Sequence, residues 1–120
     1  MKNVAMATEE KVKLPSISFN IGTPEEVRPD YIYICGDIEE LGSWDPLRSI
    51  RLKRSKRGTY SKTMRFPLGT SFNYKILADM RWGRVEKGRY TEEVINREAV
   101  VAEEKNRLII QVLAFRDEAE

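Results

Sequence analysis

Apolar and polar positions alternate in short runs from Leu14 onward, and turn residues close each run. In "LPSISFNIG" the residues Ile17, Phe19 and Ile21 fall on one face, and in "DYIYICG" Tyr31 and Tyr33 stand opposite Ile32 and Ile34. "SIRLKR" alternates Ile50 and Leu52 with arginines, and "TYSKTMRF" alternates Tyr60, Lys62, Met64 and Phe66 with small or polar residues. "SFNYKILAD" puts Phe72, Tyr74 and Ile76 on one face and Asn73, Lys75 and Leu77 on the other; "WGRVEKGRY", "REAVVA" and "NRLIIQVLAF" follow. Side chains on a strand point to opposite faces with period two, so these runs read as half-buried strands. No window of a dozen residues carries a helical stripe, although "TPEEV" and "DIEELG" each suit a single turn. Seven or eight short strands at about 8–12-residue spacing predict an all-β, antiparallel β-sandwich. Residues 1–13 are polar and aperiodic and are expected to form a flexible tail ahead of one domain over 14–116.

Composition narrows the chemistry. The chain has 120 residues, enough for one domain with a modest core. Cys35 is the single cysteine, which rules out an internal disulfide, and its place in a strand with Ile32 and Ile34 makes it a buried, inert thiol. There is no histidine, so the commonest general base and metal ligand are missing; no metal site and no cofactor are expected. No stretch approaches the roughly 18–20 apolar residues of a membrane span. The first residues lack the apolar core of a signal peptide, so the expected location is the cytoplasm. The net charge of +2 is too small to argue a polyanionic partner.

One stretch does not fit a purely structural reading. In "GDIEELGSWDP" the strand stops at Gly36, an acidic turn follows, and Trp44 stands where nothing nearby is able to bury it. A tryptophan there is either a plug for the core or a flat face held up for a ligand. The whole segment "YIYICGDIEELGSWDP" resembles the starch-binding domains of the family-20 carbohydrate-binding modules. "MRFPLGTSFNYKIL" is similar to that family's strand–Pro–x–Gly–strand segment, and "INRE" to the Asn-Arg opening its penultimate strand. The resemblance covers roughly 14–115. "RWGRVEKG…NR" is also similar to related sandwich modules found beside esterases and other hydrolases.

The family's fold and activity are then the expectation: a single immunoglobulin-like antiparallel β-sandwich that binds α-1,4-glucan without catalysis. Its principal site clasps adjacent glucose units between two aromatic rings, with a lysine and an asparagine bonding the hydroxyls. The resemblance implies Trp44 as the first ring and Lys75 as the lysine. Counting from "GRYT" makes Trp82 the second ring. Counting back from Asn96-Arg97 makes it Tyr90 and supplies Asn96 as the amide, with extra residues inserted after Lys75. Tyr60 aligns with one aromatic of the family's second, shallower site; Arg28 and a basic loop occupy the other places, so that site is expected to be missing or altered.

These residue types suit the ligand. A glucose face is a patch of C–H groups that an aromatic plane can desolvate; roughly 50–100 Å² at about 25 cal/mol/Å² gives about 1–2.5 kcal/mol per ring. The edge hydroxyls need directional donors and acceptors. Implied partners are α-glucans (starch, glycogen, maltooligosaccharide) and an attached or separate hydrolase.

Two other features of the sequence bear on function. Residues 48–65 hold eight basic and no acidic residues. A nucleic-acid surface would interleave such a run with aromatics, and only Tyr60 is near, so nucleic acid is not expected. The run reads as a solvated hairpin or a contact with an acidic protein, which gives the alternative function: an interaction or spacer module without sugar binding. Glycoside hydrolysis would need paired carboxylates in surroundings that raise one acid's pKa. Asp37, Glu39, Glu40 and Asp45, and Glu86, Glu92 and Glu93, all lie in polar, loop-like segments. An enzyme is not expected.

Overall fold

A computed structural model describes residues 14–103 and 105–117; the tail expected over 1–13 lies outside them. The chain runs through β1 (Ser16–Gly22), β2 (Tyr31–Gly36), β3 (Ile50–Lys53), β4 (Thr59–Arg65), β5 (Ser71–Leu77), β6 (Glu86–Lys87), β7 (Arg97–Val100), β8 (Lys105–Gln111) and β9 (Ala114–Phe115). Seven of these are strands of four residues or more, arranged as two sheets in the orders β4-β1-β8 and β3-β2-β5-β7. A two-residue pair, β6-β9, is added beside them. The fold is the expected β-sandwich, with one departure. β1 and β8 pair in parallel, Ile17 opposite Asn106 and Ile21 opposite Ile110, because the first and last long strands lie side by side. The other ladders are antiparallel.

Alternation sets the core. Ile17, Phe19 and Ile21 of β1 pack against Ile32, Ile34, Phe72, Tyr74 and Ile76 of the facing sheet. Phe19 meets Tyr74 edge-on, ring centroids 5.6 Å apart, an orientation aromatic quadrupoles favour. The outer face of β2 is not left to solvent. Tyr33 and Cys35 form a second apolar cluster with Leu77 and Val85, flanked by Tyr31 and Trp44. This covering of the outer face is what positions the site.

Tyr60 is corrected by the structure. It is 0% exposed, its ring is part of the main core, and its hydroxyl donates to the Pro29 carbonyl. A buried ring offers no face to a sugar. The segment "WGRVEKGRY" folds as a 3-10 turn at Trp82–Arg84 followed by β6, and "NRLIIQVLAF" divides into β8 and β9. All eight side chains of the basic run are exposed, and three of them also meet groups of the fold. Arg54 pairs with Asp30 at 3.0 Å, Arg51 lies 4.7 Å over the Tyr31 ring, and Arg65 donates to the Leu14 carbonyl.

Candidate functional site

The turn bearing Trp44 is built from the end of β2. Gly36 must be glycine, since a Cβ would come within 2.7 Å of both the Asn73 carbonyl oxygen and Leu41. Leu41 is buried in the core and anchors the turn. Asp37 ties it to β5: its backbone N–H donates to the Asn73 carbonyl, and its carboxylate accepts from the Asn73 N–H, both at 3.0 Å. Gly42, Ser43 and Trp44 then adopt φ of 91°, 50° and 63° in succession. A tryptophan in the left-handed region costs about 1–2 kcal/mol, and the cost is held by the Trp44 N–H bond to the Gly36 carbonyl at 2.7 Å. Asp45 closes the segment by capping the Pro46–Arg48 turn, its carboxylate accepting from the Leu47 N–H at 3.1 Å.

Three further elements converge there. Lys75 stands directly opposite Cys35 in the β2–β5 register, so it projects from the outer face with Leu77. The Trp82–Arg84 turn is fixed by the bridge Leu77–Val85 and by the Ala78 N–H donating to the Arg84 carbonyl. It brings the Trp82 ring to 5.9 Å from the Trp44 ring, the planes inclined at 50°. The cavity beside them, about 310 Å³, is lined by both tryptophans, Lys75 and Asn96, and by Val85, Glu93 and Arg116. Tyr90 does not line it; it is 81% exposed, on the turn that precedes Thr91. The ring from one count of the sequence and the amide from the other therefore sit in the same cavity. The residues between them are taken up by β6 and the Gly88–Thr91 turn.

Ion pairs hold this arrangement. Glu86 is only 1% exposed, yet it is no buried general acid. Arg97 grips its carboxylate, Nη2 at 2.6 Å and Nε at 3.0 Å, and the Ile76 N–H donates to it at 2.9 Å. Glu93 accepts from Lys87 at 2.7 Å and from Arg116 at 3.3 Å. The hydrogen bond from Lys87, then the charges of Lys87 and Arg116, hold its carboxyl below the usual carboxylate range. Lys75 donates to the Val94 carbonyl. Together these contacts tie the segment carrying Asn96 to β5, β6 and the residue after β9. The site thus joins two tilted aromatic faces to an ammonium, an amide, an ionised carboxylate and a guanidinium. Such a set desolvates C–H faces and bonds hydroxyls.

Comparison with known proteins gives a family and a fold. A family model described as "Starch binding domain" matches residues 15–109. An amylopullulanase of Thermoanaerobacter thermohydrosulfuricus is 30% identical over 118 residues, covering 96% of this chain and 8% of that protein. An alpha-amylase of Streptomyces violaceus is 35% identical over 68 residues, 57% of this chain and 12% of its own length. This chain therefore spans a small part of the curated relatives it matches. Among solved structures, the family 20 CBM of the maltotetraose-forming amylase from Pseudomonas saccharophila aligns with a TM-score of 0.55 at 17% identity, covering 80% of this chain and 98% of that one. The Hormoconis resinae glucoamylase aligns at 0.61 and 19%, over 85% of this chain and 18% of that one.

Proposed function

The chain belongs to the starch-binding domains, a non-catalytic carbohydrate-binding family, and from that premise we propose that Trp44 and Trp82 clasp an α-1,4-glucan. Each ring covers the C–H face of one glucose unit, for about 1–2.5 kcal/mol per ring. The inclination between the rings suits a helical chain, whose successive units turn, over a flat one. Lys75 and Asn96 bond the edge hydroxyls, and Glu93 supplies an ionised acceptor at the same cavity. After the cost of ordering the ligand, the net is about −4 to −8 kcal/mol, or roughly millimolar to micromolar affinity. Such a contact holds an enzyme on starch, glycogen or maltooligosaccharide and still releases it. The relatives are an amylopullulanase and an alpha-amylase, which supports a hydrolase as the body this domain tethers.

The observation that carries this reading is the pair of rings 5.9 Å apart at 50° over a cavity holding a lysine and an amide. The test is to compare Trp82→Ala with Tyr90→Ala in calorimetric titrations with maltoheptaose. Loss of binding in the first and not in the second is expected. The reverse result would move the second ring to Tyr90.

A further inference from the structure

The face opposite the clasp has a chemistry of its own. Across the outer side of the β4-β1-β8 sheet, the register sets Thr59, Gly22 and Gln111 in one rung and Ser61, Asn20 and Ile109 in the next. These residues line a shallow cavity of about 420 Å³, with Arg57 and Arg107 at its margins and no carboxylate among the lining residues. Gly22 keeps its floor low: a Cβ there would stand 3.1 Å from the Gln111 amide oxygen. Tyr60 also borders it, but the burial of its ring leaves no platform for a neutral sugar.

The two arginines differ from most others in the chain. Arg54, Arg84 and Arg97 are in ion pairs, Arg51 lies on a ring, and Arg65 donates to a carbonyl. Arg57 and Arg107 have neither an ion pair nor a side-chain hydrogen bond among the described residues. Two guanidiniums beside hydroxyl and amide groups, with no carboxylate among the described lining residues, form a surface whose chemistry suits an anion. The planar fork of arginine matches phosphate and carboxylate oxygens. A phosphate monoester carries about −1.5 to −2 charges at neutral pH and three acceptor oxygens, which suit guanidinium, hydroxyl and amide donors of the kind that line the cavity.

We propose that the outer face of the β4-β1-β8 sheet is an anion subsite, bordered by Arg57 and Arg107, for a phosphate monoester carried on a glucan. The carrier rests on the glucan reading; the anion chemistry does not. A domain with its clasp on one sheet and this subsite on the other engages phosphorylated regions of a polymer at two points.

The probe is glucose 6-phosphate, titrated at low ionic strength while amide shifts are followed by NMR. Saturable shifts at Gly22, Thr59, Ser61 and Arg107 are expected, absent with glucose. They should weaken by about tenfold or more in the Arg57→Gln/Arg107→Gln variant and persist in Trp44→Ala. That double variant should keep its thermal midpoint and its maltoheptaose binding, since neither side chain has a partner among the described residues. Wild type should also be retained better by phosphorylated amylopectin than by the same polymer after phosphatase treatment. No saturable shift, or shifts unchanged in the double variant, overturns the subsite. Equal binding of inorganic phosphate would mean an adventitious ion only, and equal binding of glucuronate would overturn the phosphate assignment. Tighter binding of single-stranded DNA would make the face a nucleic-acid surface instead. Failure of maltoheptaose to bind wild type would remove the glucan reading and leave the glucose 6-phosphate result to stand or fall alone.

Discussion

Trp44 holds a positive φ that few side chains tolerate, yet it is spent on a residue that packs against the second apolar cluster and also borders the cavity. The ring therefore packs in part, as a plug would, and leaves the rest of its surface beside the cavity. The backbone strain makes a distinctive prediction. Trp44→Gly and Trp44→Ala remove the same ring, but glycine relieves the left-handed strain, so the glycine variant should be the more stable by about 1 kcal/mol in urea unfolding. Both should lose glucan affinity by the worth of one ring. Cys35 is the other informative residue. Burial, and then the nearby Asp45 charge, push its thiol from 9.0 up to about 11. A raised pKa in the fold means the unfolded thiol ionises first. This contribution to stability is complete below pH 9 and is lost as pH rises towards 11, which unfolding curves across that range should record. Trp44 and Lys75 were legible because a motif and a strand parity mark them. Tyr60 shows the opposite: the resemblance marks it for a second sugar site, and its alternation, shared with exposed Lys62 as well as buried Phe66, does not say that its ring is buried.

At the scale of elements, parity was the reliable guide. It divides β5 into a core face of Phe72, Tyr74 and Ile76 and an outer face of Asn73, Lys75 and Leu77, as observed. Pairings between distant segments were not legible, because nothing in local alternation chooses a partner strand. The parallel β1–β8 ladder, the β6–β9 pair and the Glu86–Arg97 contact all belong to that class. Glu86 read as a loop carboxylate and is instead the buried joint between β5, β6 and β7. Glu86→Ala leaves Arg97 without its ion pair and the Ile76 N–H without an acceptor, so urea unfolding should show a loss of about 3–5 kcal/mol. Local sequence does not mark the Glu93 contacts, because Lys87 and Arg116 reach it from β6 and from beyond β9. Its carboxyl is lowered in the fold, so its hold on the Asn96 segment is present above the ordinary value of 4.5 and is lost as pH falls below it. Maltoheptaose affinity should decline on acidification through that range in wild type and show a flatter pH profile in Glu93→Gln.

For the whole molecule, the sandwich separates two surfaces. The Trp44–Trp82 cavity sits on the outer side of the β3-β2-β5-β7 sheet, and the arginine-bordered cavity on the outer side of the other. The all-β architecture followed from short alternations closed by turn residues; which faces would stay polar and which would be covered by aromatics depended on loop conformations that alternation does not encode. A rigid scaffold presenting loops is the usual way a domain carries binding without chemistry. The most direct measurement is a calorimetric and tryptophan-fluorescence titration with maltoheptaose, using cellohexaose as the control. Saturable millimolar-to-micromolar binding of maltoheptaose alone, with a change in fluorescence, is the expected result. No heat and no spectral change up to millimolar ligand, or equal binding of cellohexaose, would contradict the aromatic clasp for α-glucan.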